Sequence, residues 1–221
     1  ALHLDTAERE HLYDLAQAAD GTSARTRGRR RSDPHWVPRP SLQWVLDAMR
    51  DAPAIVTNGR SDLLLTNDLS RAMYAQVLAG ASGTPNFARF TFLDEESRRL
   101  YPDWDFFADI TVATLRTEAG RSPHDQLVHE LVGELSTLSA EFRTRWSAHD
   151  VRIHTTGTKH FRHQVVGDLV LSYETVPLIS EPGLTMTVYA AEPGSTSEQS
   201  LQLLASWSTS HPTSGHVAGK R

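Results

Sequence analysis

Cysteine is absent from the 221-residue chain, and with it go disulfide frameworks and zinc–thiolate sites. No run of about 18 apolar residues occurs, so nothing reads as a membrane-spanning helix. The opening ALHLDTAEREHLY lacks the basic, apolar and small-residue segments of a signal peptide. These absences point to a cytoplasmic protein. Charge of one sign is scarce too: a net charge of −5 provides no global attraction for nucleic acid. Missing as well are the G-x-S-x-G elbow, H-E-x-x-H, the P-loop and G-x-G-x-x-G. The acidic residues at 94–96 sit at an expected helix start, where carboxylates favour the dipole. No enzyme is expected. His149, His154, His160 and His163 crowd into fifteen residues, but strand alternation sends His160 and His163 to opposite faces. No metal site is expected either.

What is present is the composition of an ordinary globular domain, 39% hydrophobic and 22% charged. The chain is long enough to bury a full core. Asp5 and Glu8 resemble a capping box ahead of Leu12 and Leu15, which gives a helix over about 5–18 within a first segment, 1–20. That helix is too poor in apolar residues to stand alone. Residues 21–39, GTSARTRGRRRSDPHWVPR, carry five arginines between Arg25 and Arg31. They read as a basic flexible linker, with phosphate contact as the functional alternative.

From Pro40 the pattern becomes periodic. Ser41 is a candidate cap for a helix bearing Leu42, Val45, Leu46 and Met49. PAIVTNGRSDLLLTND makes a hairpin about its Asn-Gly-Arg-Ser turn, and LSRAMYAQVL a helix. Further helices follow Asp94 and Asp103, another starts near Pro123 with a Leu127, Leu131, Leu135 and Leu138 stripe, and one starts at Ser139. Beyond Asp150 the period switches to two, with strands near 151–156, 160–166, 169–177 and 184–191. A last helix ends near Ala205, and 206–221 reads as a disordered tail. Hairpin, helices, then antiparallel strands imply an α+β fold over residues 40–205. The arrangement resembles a PAS-like antiparallel sheet with a long helical insertion covering one face.

The stretch FRHQVVGDLVLSY (161–173) raises the question of a binding site. A two-residue turn at Gly167-Asp168 sets Val166 against Leu169, Gln164 against Leu171 and Arg162 against Tyr173. An arginine then shares a sheet face with Leu169, Leu171 and Tyr173. A guanidinium entering an apolar wall needs an anion, and a carboxylate suits its fork. Phe106, Phe107, Ile110 and Trp146 from the helices, with Met186 and Val188 from the last strand, complete an apolar slot with Arg162 at its mouth. The alternatives are simple close packing of the aromatics and an acidic partner for Arg162. A one-residue slip would give His163 the position instead.

Four ordered motifs carry a resemblance: NFARFTFLDEESRRLYPDW (86–104), SAEFRTRWSAHDV (139–151), GTKHFRHQVVGDLVLSYE (157–174) and VYAAEPGSTSEQSLQLL (188–204). They look like successive motifs of the MmyB-like transcription regulators. The likeness runs from Leu2 to about Leu204, with Glu95 and Gln164 standing where proline is expected. It implies an N-terminal Xre-type helix-turn-helix and a C-terminal PAS-like ligand-binding domain, which in at least one member holds a fatty acid. The helix over 5–18 is then expected to be the end of a DNA-binding domain not present in this chain.

The expected function is ligand sensing for a transcription regulator. The ligand is a small apolar molecule with an anionic head, such as a fatty acid, and no other cofactor is expected. DNA would be met through the absent domain. The alternative is a protein-interaction or dimerisation module without a small ligand, a homodimer joined through Trp36, Trp44 and Trp207.

Overall fold

The structure, a computed structural model, describes residues 38–81, 83–148 and 156–210. The helix expected over 1–20, most of the linker and the tail from 211 lie outside them, as do residues 151–155 of the first expected late strand. Helix α1 (Pro40–Ala48) leads into the hairpin β1 (Ala54–Asn58) and β2 (Leu63–Thr66). Then come α2 (Asp68–Met73), α3 (Ala75–Ala79), α4 (Phe87–Leu93), α5 (Glu96–Leu100), α6 (Trp104–Arg121), α7 (Gln126–Leu138) and α8 (Ala140–Ser147). Strands β3 (Thr156–His163), β4 (Gly167–Pro177) and β5 (Leu184–Ala191) follow, and α9 (Thr196–Ser210) ends the described chain. The strands form one sheet in the order β2-β1-β5-β4-β3, antiparallel throughout. The fold is α+β, with the helices α4–α8 inserted between β2 and β3.

Local chemistry explains most boundaries. The Asn58 side-chain oxygen accepts from the amides of Arg60 and Asp62, both at 3.0 Å, and shapes the β1–β2 turn. Asn67 starts α2 by accepting from Ser70 N at 2.9 Å, and the same oxygen accepts from Ala54 N at 3.1 Å. Its amide nitrogen donates to the carbonyls of Met49 and Ala52. One buried side chain thus ties the end of α1, the start of β1 and the start of α2.

Some expected boundaries move. Pro40 opens α1 itself, where its fixed φ suits the first helical position. Helix α7 starts at Gln126 instead of Pro123, because Asp125 caps Leu127 N at 2.9 Å. Ser139 caps α8 as expected, accepting from Phe142 N at 3.1 Å. Helix α9 continues past Ala205 to Ser210, so residues 206–210 belong to the helix.

The sheet has two unlike faces. Inward lie Ile55, Leu63, Phe161, Leu169, Leu171, Tyr173 and Tyr189, packed against α2, α6 and α9. Outward lie Ala54, Val56 and Leu65, which α1 covers with Leu42, Leu46 and Met49. A further cluster of Val112, Leu115, Leu131, Leu135 and Phe142 joins α6, α7 and α8 away from the sheet.

His163, at the end of β3, is buried and fixes the β3–β4 turn. Its Nδ1 accepts from the amides of Val165 and Val166 at 3.2 and 3.4 Å, while Nε2 faces the Ala72 carbonyl of α2 at 3.1 Å. Two donors on Nδ1 require the neutral tautomer with its proton on Nε2. Burial pushes the His163 pKa below 6.5, against the opposing pull of the Ala72 carbonyl.

Two stability outcomes follow. A folded-state pKa below the unfolded one means that the His163 contribution is full above about pH 6.5 and is lost as pH falls through the folded value. Urea unfolding at pH 7 and pH 5 should therefore show an acid loss that is shallower in His163→Gln, which cannot titrate. Removing the Asn67 knot by Asn67→Ala strands two buried amides and two carbonyls, and should cost about 3 kcal/mol in the same assay.

Candidate ligand-binding site

The inner sheet face is built from rings. Phe161 lies at its centre, with ring centroids of Phe107 at 5.6 Å, Tyr189 at 5.8 Å, and Tyr74 and Tyr101 both at 5.9 Å. Tyr101 stacks on Phe107 at 3.8 Å. The hydroxyl of Tyr74 donates to that of Tyr189 at 2.8 Å, so the polar tips of two buried rings satisfy each other. Both hydroxyls are held far from ionisation by burial. Tyr173 closes the row beside Tyr189 at 6.3 Å.

The expected β3–β4 register does not hold. The turn spans Gln164–Val166, so His163 pairs with Gly167 and Arg162 with Asp168, five residues short of Tyr173. The shift is odd, and an odd shift sends every β3 side chain to the other face. Arg162 points to the outer face, where it is exposed and meets Asp168 at 3.2 Å. It is an ordinary surface ion pair. Met186 and Val188 also lie outward, beneath α1 with Leu184. Trp146 stacks on Phe142 in the helical cluster, its carbonyl accepting from Arg116. Phe107, Leu169, Leu171 and Tyr173 do meet on the inner face, with Phe106 at its margin. Ile110 sits half-buried further along α6. Among the histidines, His160 and His163 occupy opposite faces, while His149 and His154 lie outside the described residues.

The same register places Lys159 on the inner face, opposite Leu171. Its ammonium lies 4.3 Å from the ring centroid of Tyr173, 5.5 Å from Tyr189 and 5.7 Å from Phe107. Among the described residues no carboxylate pairs with it. Burial pushes its pKa down to about 8. The aromatic faces attract the cation only weakly compared with a carboxylate. Gly157, two residues earlier, adopts φ 151°, and a β-carbon there would sit 3.5 Å from the Tyr173 ring. That distance is an ordinary contact, so it is the backbone conformation and not the ring that favours glycine there.

A groove of about 700 Å³ opens next to this face, lined by Arg98, Tyr101, Asp103, Trp104, Phe106 and Thr158. Trp104 forms its wall, donating to the Thr91 carbonyl at 3.0 Å and lying beneath the Arg98 guanidinium at 3.8 Å. Another groove, of about 660 Å³, lies between α3, α4 and α7. Its arginines are already engaged, Arg60 with Asp62 at 3.1 Å and Arg89 with Glu134 at 2.7 Å. The lining of the first groove includes the carboxylates of Asp103 and Asp105; Lys159 adjoins it through Phe107, whose ring stacks on the lining residue Tyr101.

Sequence reasoning passed over Lys159 because the turn was placed on Gly-Asp. A signal was nevertheless present. The chain has just two lysines, Lys159 and Lys220, among its 22 lysines and arginines. Lys159 is the one lysine among the described residues of an arginine-rich chain.

No curated protein matches the chain. The family model described as the MmyB-like transcription regulator ligand binding domain matches residues 38–204, which span the sheet, the helical insertion and α9 up to Leu204. The chain therefore belongs to the MmyB-like transcription regulators, and these residues are their ligand-binding domain.

Proposed function

We propose that the domain senses an apolar molecule with an anionic head, a long-chain fatty acid being the type, and that Lys159 holds the head. A helix-turn-helix domain outside this chain would carry the response to DNA. The observation that supports the reading is the half-buried Lys159 ammonium, set over three rings with burial alone acting on its pKa. A carboxylate supplies the missing counter-charge. The tail would lie along Tyr101 and Phe106 in the adjoining groove, each buried methylene contributing about 0.8 kcal/mol before entropic losses. Arg162, exposed and paired with Asp168, has no part in it.

A second reading, an interaction module, is favoured by the outer surface. Trp44 is 69% exposed and Ile179 95% exposed, with Val45 and Val176 also open. Single exposed apolar residues are common on monomers, so the reading stays secondary.

Thermal shift tests the choice. A long-chain acid at a hundredfold excess over its dissociation constant should stabilise the folded domain by about 2.7 kcal/mol. Lys159→Met should weaken the acid by about 1–3 kcal/mol and leave an alcohol of equal length nearly unchanged. Arg162→Ala should alter neither. An acid that shifts wild type and Lys159→Met equally would remove Lys159 from the site. An acid and alcohol that both leave wild type unshifted would favour the interaction module.

Proton linkage provides a further outcome. The acid should bind with constant affinity between about pH 6 and 8, where carboxylate and ammonium are both charged, and weaken as pH rises through about 8, since Lys159 then loses its charge. In the absence of ligand the sign reverses. A lysine pKa below its unfolded value of 10.5 penalises folding fully below about 8, and the penalty fades as pH rises towards 10.5. Lys159→Met should therefore melt at a higher temperature than wild type at pH 7 when no ligand is present.

A further inference from the structure

We infer that Lys159 is also a covalent capture site for aldehydes, holding a long-chain aldehyde as an imine with its tail in the groove proposed for the acid. The inference rests on the ligand reading above for the tail alone. Its first support is position. The amine lies over the rings of Tyr173, Tyr189 and Phe107, and Phe107 stacks on Tyr101, which lines the groove. Its second support is isolation. Among the described residues no carboxylate pairs with Lys159 to hold it as an ammonium. Residue type is the third. A guanidinium keeps its proton and makes no imine, whereas a lysine in apolar surroundings becomes a nucleophile. A pKa near 8 leaves a useful fraction of neutral amine at physiological pH.

The chemistry is self-contained. The neutral nitrogen adds to the aldehyde carbon, a proton passes from nitrogen to oxygen, and the carbinolamine expels water to leave a C=N bond. No electrons are gained or lost, and hydrolysis reverses the step. Capture would thus be transient and concentration-dependent, as sensing requires. An acid and an aldehyde of equal chain length would compete for one place, the acid binding the protonated amine and the aldehyde the neutral one.

The test uses decanal with cyanoborohydride, which fixes an imine as a secondary amine, followed by peptide mapping by mass spectrometry. Lys220 is the built-in reference amine. Near pH 7.5, Lys159 should be alkylated about tenfold faster than Lys220 or more, because its amine is more often neutral. Decanoic acid should slow alkylation at Lys159 and leave Lys220 unaffected. Equal rates at the two lysines, or a Lys159 peptide that stays unmodified, overturn the proposal. The two readings fail separately. If decanoic acid raises the melting temperature but decanal spares Lys159, capture is wrong and acid sensing stands. If Lys159 is alkylated selectively but the acid does nothing, capture stands and the anionic head is wrong. Lys159→Arg, which keeps the charge, should retain acid binding and lose the Lys159 adduct; unchanged alkylation of the protein in that variant would also overturn the assignment.

Discussion

The imidazole of His163 decides which side of the sheet each β3 residue faces. By accepting from two successive turn amides and reaching the Ala72 carbonyl, it closes the β3–β4 turn around Gln164–Val166 and pins it to α2. A turn placed elsewhere by an odd number of residues would bury Arg162 and expose Phe161. The aromatic centre of the inner face and the position of Lys159 above it both descend from that one choice. The site is a product of register before it is a product of side-chain chemistry.

The sheet's other organising contact is the Asn67 amide, whose four hydrogen bonds join three elements that meet at the start of β1. It holds α1 over the outer face, so that β1 and β2 are covered on both sides. Strand β4 is not: Val170 and Val176 stay open to solvent on its outer face. The inner face is closed by packed rings and the outer face is left half-dressed.

Much of the fold was legible because local signals and tertiary packing agree. The Asn58 turn, the Asn67 and Ser139 caps, and the switch to a two-residue period all correspond to hydrogen bonds now visible. The errors have a common physical source, competition between two plausible local signals. Gly167-Asp168 is a good two-residue turn, but His163 offers the preceding amides an acceptor and wins. Pro123 is a good first-turn residue, but Asp125 offers a cap two positions later. The placement of the cations suffered most, since correcting a single misplaced turn puts Arg162 on the outer face and Lys159 on the inner one. Met186 and Val188 failed differently: alternation identifies which residues share a face, but not which face looks inward. Periodicity could not place Trp146, because its partner Phe142 belongs to a helical cluster separate from the residues on the sheet's inner face.

Helix α6 gives these contacts a mechanical meaning. Its 18 residues make a rod about 27 Å long. Phe106 and Phe107 at one end border the ring-lined face. Near the other end the Glu118 carboxylate rests directly on the backbone of Gly59, so closely that a β-carbon there would overlap it. Glycine at position 59 leaves the space that the Glu118 side chain fills, so α6 touches the β1–β2 turn near one end and the ring-lined face at the other.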